Sequence, residues 1–465
     1  MRAKSAAKGA LKAIVRRELA DHLSSLRFSA IFVFALLLMI GSALVASATY
    51  VRKTREYPRH VEELVGEDGR VDLGQVAGLG GLSVYRRPSP LAFISGEGER
   101  ELPNEAVFAV HGLRAVERTS ELGEILSRST DLDWTFVIAA LFSFGAGLLT
   151  YKNVSGERRD GTLALVLSQP VSRATVLLGK YLAALIVLSI VLAAAVLASL
   201  LVLGILGSVP LGGDDWLKIG LFGLSGIAFL SIFILVGLLC SVYARGPLLS
   251  AVAFMFVWTG LVFVVPSLGG VLAGRLGAVR SPLEMRALDN AISDRFTLSA
   301  GMSDDEVASV KLRREQARED LLLEHLQSLL RQVELGRDLT RVSPVSAFSY
   351  AAETIVGEGP FRLRRFVDNA VRYRRGVLQA ILEADKGDPA SLHRYVPWWM
   401  GSNHFSRLRV DLGPVVEFQD PAPSGGQGTA AAVLDLALLA IFNVLAFAAA
   451  FRRFARQGVV PEPGM

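Results

Sequence analysis

"GERRDGTLALVLSQPVSR", residues 156–173, separates two of the most apolar runs in the chain. A connection between two such runs need only be polar, and a two-residue turn would serve. Here Gly156 can relieve the backbone after the preceding helix, and Glu157 and Asp160 favour a new helix N-terminus by their charge. Residues 162–167, "TLALVL", then supply a turn or two of apolar helix, Pro170 ends it and Ser172 caps the next span. The expected product is a stub of helix with an apolar face held against a membrane surface. Such a stub is too short to be stable alone, so its face calls for a partner.

The runs on either side belong to a wider pattern. Of 465 residues 51% are hydrophobic, yet the chain carries 49 Lys and Arg against 44 Asp and Glu. That is too apolar for an ordinary soluble protein and too charged for spans alone, so charge and apolar sequence must be segregated. Six windows, 28–50, 134–151, 176–206, 217–243, 248–272 and 430–451, each offer about 18 or more residues with few or no charges. At about 1.5 Å per residue each can cross a hydrocarbon core of about 30 Å. The pattern "ALVASATY" places Ala46 and Ala48 as in a signal-peptide cleavage site, but the apolar run is long and 27 residues precede it. A retained first span is expected. Net charge is +5, but the basic residues cluster beside spans or mix with acids, which argues against a nucleic-acid partner. The single cysteine, Cys240, lies inside the fourth window, so no intramolecular disulfide and no Cys-rich metal site can form.

Residues 1–27 place Leu11, Ile14, Val15, Leu19, Leu23 and Leu26 at helical spacing, with Lys12, Arg16, Arg17 and Glu18 largely opposite. This predicts an interfacial amphipathic helix at the lipid bilayer surface. The N-terminus, the connection at 152–175 and the tail at 452–465 are all basic, and six spans put all three on one face. The positive-inside rule makes that face cytoplasmic, in the inner membrane of a prokaryote. Arg52, Lys53 and Arg55 disagree, but long connections are largely exempt from the rule. Two insertions then face outward. Residues 51–133, with prolines, glycines and short apolar runs, suggest a small mixed α/β part. Residues 273–429 read as mainly helical: one long helix from a capping box at Ser303 and Glu306 to a stop near Gly336, a second over "SPVSAFSYAAETIVGEG", and a third from Pro360 to about Gly387. The predicted fold is an all-α polytopic membrane protein with a mainly helical extracytoplasmic domain.

The spans hold almost nothing ionisable in their middles. Lys180 and Lys218 stand near ends, where they can snorkel, and Asp435 stands near the outer end of the sixth. A charge at the centre of a span costs at least about 2.5 kcal/mol, so a chain that keeps none there is not built as a proton or sodium relay. Asn443 is the most interior strong polar group and reads first as helix-packing glue. No phosphate loop is present: Gly179-Lys180 is followed by Tyr181 and lacks the upstream glycine. No zincin, C-x-x-C or nucleophile-elbow motif occurs, the six histidines show no metal-ligand spacing, and Asp214-Asp215 reads as a solvated turn. No catalytic, cofactor or metal site is expected in this chain.

At residues 157–180 the sequence resembles the permease subunits of type-2 ABC exporters. Their loop between the second and third spans carries E-x-x-x-G-T-L, then L-S-x-P-V-S-R, then L-L-G-K. Here stand Glu157, Gly161, Thr162 and Leu163; then Leu167, Ser168, Pro170, Val171, Ser172 and Arg173; then Leu177, Leu178, Gly179 and Lys180. The resemblance implies that this loop is a coupling helix docking into a groove of a separate ATPase subunit. Two copies of that subunit, holding ATP and Mg, would flank a permease homodimer or a pair of similar permeases. The large outward segments are more similar to a branch that includes permeases of nitrous-oxide-reductase maturation and gliding motility.

On that reading the interface comprises Gly156, Glu157, Arg158, Arg159, Asp160, Gly161, Thr162, Leu163, Leu165, Val166, Ser168 and Pro170. The charges would sit at the groove rim while Leu163, Leu165 and Val166 fill it. The alternative for these charges is a solvated loop that satisfies the positive-inside rule. Ser225, Ser231 and Asn443 are the candidate lining of a translocation path. The rival function is an ATP-driven mechanotransmitter or scaffold, acting on a periplasmic protein or lipoprotein without moving a substrate.

Overall fold

The computed structural model describes residues 2–62, 70–72, 82–96, 102–109, 112–117, 132–207, 209–277, 279–394, 409–411, 418, 420–421 and 424–456. Most of the tail at 452–465 and much of the first insertion lie outside the described residues, as does the stretch 395–408 of the second. Helix α1 (Arg2–Leu23) turns at Ser25, whose hydroxyl caps the next helix by accepting from Phe28 N at 3.2 Å, into α2 (Leu26–Glu62). Among the described residues six helices are long and apolar enough to cross a membrane: Phe28–Arg55, Trp134–Arg159, Arg173–Leu206, Gly213–Tyr243, Pro247–Leu276 and Gly425–Arg456. The chain is an all-α polytopic membrane protein.

The ends of the spans show where composition misleads. The first runs on past residue 50, because Arg52, Lys53 and Arg55 are good helix formers and nothing stops the turn there. The second span begins as α3 (134–150), which contains a π-helical turn at Ile138–Phe142, and ends in the short helix α4 (Ser155–Arg159). Helix α5 (Thr162–Leu167) follows, then the third span, α6 (Arg173–Leu206), with Ser172 as its N-cap accepting from Thr175 N at 3.1 Å. The fourth span, α7 (Gly213–Tyr243), begins before Asp214-Asp215, so these residues form its first turn rather than a solvated turn. Carboxylates stabilise a helix N-terminus. Asp215 Oδ2 accepts from Gly212 N at 2.9 Å, and Asp214 accepts from Gly425 N at 2.9 Å. The fifth span, α8 (Pro247–Leu276), carries a second π turn at Gly260–Val264.

Beyond the spans, β2 (Leu82–Tyr85), β3 (Glu105–Ala109) and β4 (Gly112–Glu117) form an antiparallel sheet, with a bulge between Val107 and Phe108. β1 (Arg70–Asp72) pairs antiparallel with β5 (Arg409–Asp411), Val71 opposite Val410, so a strand of each insertion meets the other. Helix α9 (Pro282–Arg295) leads into α10 (Asp304–Thr340), α11 (Pro344–Val356) and α12 (Pro360–Lys386). Val84, Phe108 and Leu113 of the sheet share one apolar core with Leu326 and Leu330 of α10 and Leu363 and Phe366 of α12. The two insertions are one body. The capping box at Ser303 and Glu306 opens α10 as expected, but Gly336 does not stop it. A Cβ on Gly336 would lie 3.1 Å from the Cβ of Ala273, so this glycine lets α10 lie against span five.

Helix α11 lies inside the bundle. Ser343 Oγ, at its N-cap, donates to Leu261 O at 2.7 Å, and Leu261 is midway along span five. Phe348 stacks on Phe229, midway along span four, with centroids 4.6 Å apart. From that depth α11 rises between α7 and α13 (Gly425–Arg456, the sixth span), reaching Gly428 at Thr354 and Ile355. The second insertion therefore sends a re-entrant hairpin, the end of α10 and all of α11, to the middle of the bundle. The sequence "PVSAFSYAAETIV" of α11 is apolar enough for this, and ten of its residues, Pro344 among them, are buried.

Charge fastens the hairpin. Arg341 Nε donates to Asp435 Oδ1 at 2.6 Å, and Asp435 in α13 is 2% exposed. Arg341→Met would leave that carboxylate buried without its partner, a loss of about 3–5 kcal/mol. Thermal unfolding in detergent should show a lowered midpoint for Arg341→Met and recovery of most of the loss in Arg341→Met/Asp435→Leu; equal midpoints for the single and double variants would contradict the pairing.

Candidate functional site

The connection between spans two and three is held from inside by four anchors. Ser241 Oγ, fully buried near the end of α7, accepts from Val154 N and Ser155 N, both at 3.0 Å. Arg158 donates from Nη1 to Ala244 O and from Nη2 to Val242 O, each at 3.1 Å. A guanidinium there satisfies carbonyls that the last turn of a helix leaves without partners. Arg173 does the same for α13, donating to Phe454 O at 3.1 Å and Ala455 O at 2.9 Å. The fourth anchor is Lys180.

Lys180 does not snorkel. Its side chain is 3% exposed, and its Nζ donates to Glu18 Oε1 at 2.6 Å and to Glu157 Oε1 at 2.8 Å. One ammonium thus joins α1, α4 and α6. Gly179 explains how α1 comes so near: a Cβ there would sit 2.6 Å from Ile14 Cγ2. Leu11 and Ile14 of α1 lie against α6 at this point. His22, one turn beyond Glu18, is also buried. Burial lowers its pKa, opposed by Glu18 and reinforced by Lys180. Lys218, the other lysine expected at a span end, is likewise buried and paired with Asp214 at 3.0 Å.

The structure divides the sequence-derived interface in two. Gly156 and Leu163 are buried, Glu157 and Arg158 are turned inward to Lys180 and the end of α7, and Val166 packs on the bundle core. Arg159, Asp160, Gly161, Leu165, Ser168 and Pro170 are exposed, and Thr162 is half-buried. Arg159 and Asp160 pair with each other at 3.1 Å in solvent. Leu165, 70% exposed, is the apolar tip of the site. The turn between α4 and α5 is made by Gly161, at φ 74°, and not by Gly156, which lies within a helix. Only glycine adopts that conformation without strain.

The other three candidates lie deep in the bundle. Ser225 is buried and donates to Phe222 O at 2.7 Å. Tyr181, Ser231 and Asn443 form one hydrogen-bonded chain across α6, α7 and α13, and Asn443 Nδ2 donates to Ala228 O at 2.9 Å. Within the protomer these side chains bind helices to one another. Among the described residues no group of three or more His, Cys, Asp or Glu is placed to hold a metal ion. The anchoring roles of Glu18, Lys180, Ser241 and Arg173 are not legible in the sequence. The L-L-G-K run points to Lys180 without its partners; Glu18 and Ser241 meet the loop solely through the fold.

These contacts make two outcomes measurable. Gly161→Ala should cost about 1–2 kcal/mol of stability, while Gly156→Ala should be neutral or stabilising by up to about 1 kcal/mol, read as opposite shifts of the unfolding midpoint. Lys180→Met should speed limited proteolysis at both 152–175 and the N-terminal helix, and Lys180→Arg should restore part of the protection. Cleavage enhanced at only one of the two segments would show that Lys180 does not join them.

Residues 12–459 match the family model described as ABC-2 family transporter protein. A comparison with curated proteins gives no match.

Proposed function

The chain belongs to the ABC-2 family of transporter proteins and is a transmembrane subunit of an ABC transporter, and from that premise we propose that a separate ATPase subunit drives it through α5. The supporting observation is the division of the loop. Glu157, Arg158, Leu163 and Val166 are turned to the bundle, while Leu165 is exposed, as are Arg159, Asp160 and Ser168. An exposed leucine on a braced six-residue helix, with exposed polar residues on either side of it in sequence, is the distribution of an interface anchor. The charges Glu157 and Arg158 do not serve as its rim. They are the mount by which a push on α5 reaches α6, α7 and α1.

In this reading the loop, both termini and the end of the bundle they share face the cytoplasm of a prokaryotic inner membrane. Two ATPase subunits, holding ATP and Mg, act on a permease homodimer whose rigid-body movement exports a substrate. This chain contributes no catalytic group. A second reading is favoured by one observation: α10 is unbroken over 37 residues, about 56 Å, with its C-terminal turns against span five and Glu319 against the sheet end at Gly112. A rod so placed would carry movement of span five to the insertion, as a mechanotransmitter acting on a periplasmic protein or lipoprotein requires.

Co-expression with the cognate ATPase tests the docking surface. Leu165→Asp should weaken co-purification by about 30-fold or more, since truncating or charging an interface anchor costs about 2 kcal/mol or more. Arg159→Glu should weaken it less, and Leu283→Asp, on exposed α9, should leave it unchanged. Wild-type recovery of the ATPase with Leu165→Asp would place the docking surface elsewhere.

A further inference from the structure

The end of the bundle that carries the loop gathers positive charge with little to oppose it. Its segments 152–175, 241–250 and 446–456 hold eight arginines and lysines against two acids, Glu157 and Asp160. Both acids are engaged, Glu157 by Lys180 and Asp160 by Arg159. Arg245, Arg452, Arg453 and Arg456 are exposed, and among the described residues none of them pairs with a carboxylate.

Three guanidinium groups are pinned there. Arg158 holds the carbonyls of Val242 and Ala244, Arg173 holds those of Phe454 and Ala455, and Arg453 lies over the Tyr243 ring, 4.9 Å from its centroid. These contacts join the ends of α7 and α13, and they bring Arg453 near enough to Arg158 to repel it. Like charges fixed so close together attract an anion. The neighbouring face of α13 decides which one. Ile441, Val444, Leu445 and Phe451 are exposed, Val444 by 68%, and they recur every three to four residues, so they form one apolar stripe along the helix. Arg452 and Arg456 continue that stripe by the same spacing into the last turn. An acidic protein surface would answer the arginines and leave the stripe bare, whereas a phospholipid answers both. Guanidinium groups grip phosphate in two-pronged fashion, and acyl chains cover valine, leucine and phenylalanine.

We propose that the end of α13 is a binding site for an anionic phospholipid, whose phosphate is held by Arg452 and Arg456 beside the pinned Arg453 and whose acyl chains lie along the stripe from Phe451 to Ile441. A lipid so held clamps the joined ends of α7 and α13 from the membrane side. The site rests on the six helices crossing a bilayer and is independent of ATPase docking. Leu165→Asp should bind the lipid as the native protein does, and loss of the lipid site would leave the docking surface standing.

Native mass spectrometry of the purified protein in detergent, titrated with phosphatidylglycerol or with phosphatidylcholine of the same acyl chains, reads the affinity for each lipid. The native protein should hold phosphatidylglycerol about 10-fold or more tightly than phosphatidylcholine, since each arginine at an anionic headgroup contributes about 5-fold. Arg452→Gln/Arg456→Gln should remove that preference. Arg16→Gln/Arg17→Gln takes the same charge from the exposed side of α1 and should change the affinity by less than about 3-fold. Equal affinity for the two lipids overturns the site, and equal loss in the two double variants overturns it by showing an attraction spread over the whole basic surface. A preference that survives Arg452→Gln/Arg456→Gln also overturns it; if that variant then fails to co-purify the ATPase, these arginines belong to the motor interface instead.

Discussion

A polar group inside an apolar bundle has no water to fall back on, so it must find its partner in the protein. That constraint organises this molecule. Lys180 is buried because two carboxylates meet it, Lys218 because Asp214 does, and Asp435 because Arg341 descends to it. Two of these matches tie together elements far apart in sequence: α1 and α4 to α6, and the hairpin to α13. The carbonyls at the ends of α7 and α13 impose the same demand, and Arg158 and Arg173 meet it. The charges that look like surface decoration in the sequence are therefore the fastenings between helices that apolar packing alone would leave free to slide.

The re-entrant hairpin changes what the second insertion is. A domain attached only by chain ends would be free to move against the spans, whereas this one has a helix seated between α7 and α13 and a serine bonded midway down span five. Movement of α7, α8 or α13 must displace α11, and α11 is joined through three residues to the rod α10. The apolar core shared by α10, α12 and the sheet then passes that displacement to both insertions. The insertion is thereby geared to the bundle.

Much of this architecture is legible in the sequence. Runs of uncharged residues mark all six spans, since nothing else accounts for their length, and Ser172, Pro170 and the box at Ser303 and Glu306 give helix boundaries because capping is local chemistry. The features that stay hidden need partners distant in sequence. Gly336 resembles a helix stop, but it spares space for Ala273; Gly156 resembles a turn residue, but the left-handed backbone falls at Gly161. Lys180 near a span end suggests snorkelling only while Glu18 and Glu157 are unknown. The apolar stretch 344–356 is recognisable as helix, but a helix of thirteen residues is too short to span, so its depth emerges only from Leu261 and Phe229.

The loop and the hairpin act on the same helix from opposite ends. At one end of α7, Ser241 and the carbonyls of Val242 and Ala244 hold α4; midway along it, Phe229 stacks against Phe348; at its other end Asp214 receives the backbone N–H of Gly425. These contacts are packed or hydrogen-bonded and all fall on α7, so one helix joins the loop to the hairpin without passing through spans one or three. A bundle required only to open and close a path would not need its insertion gripped at that depth. The grip is intelligible if the insertion must keep step with α7.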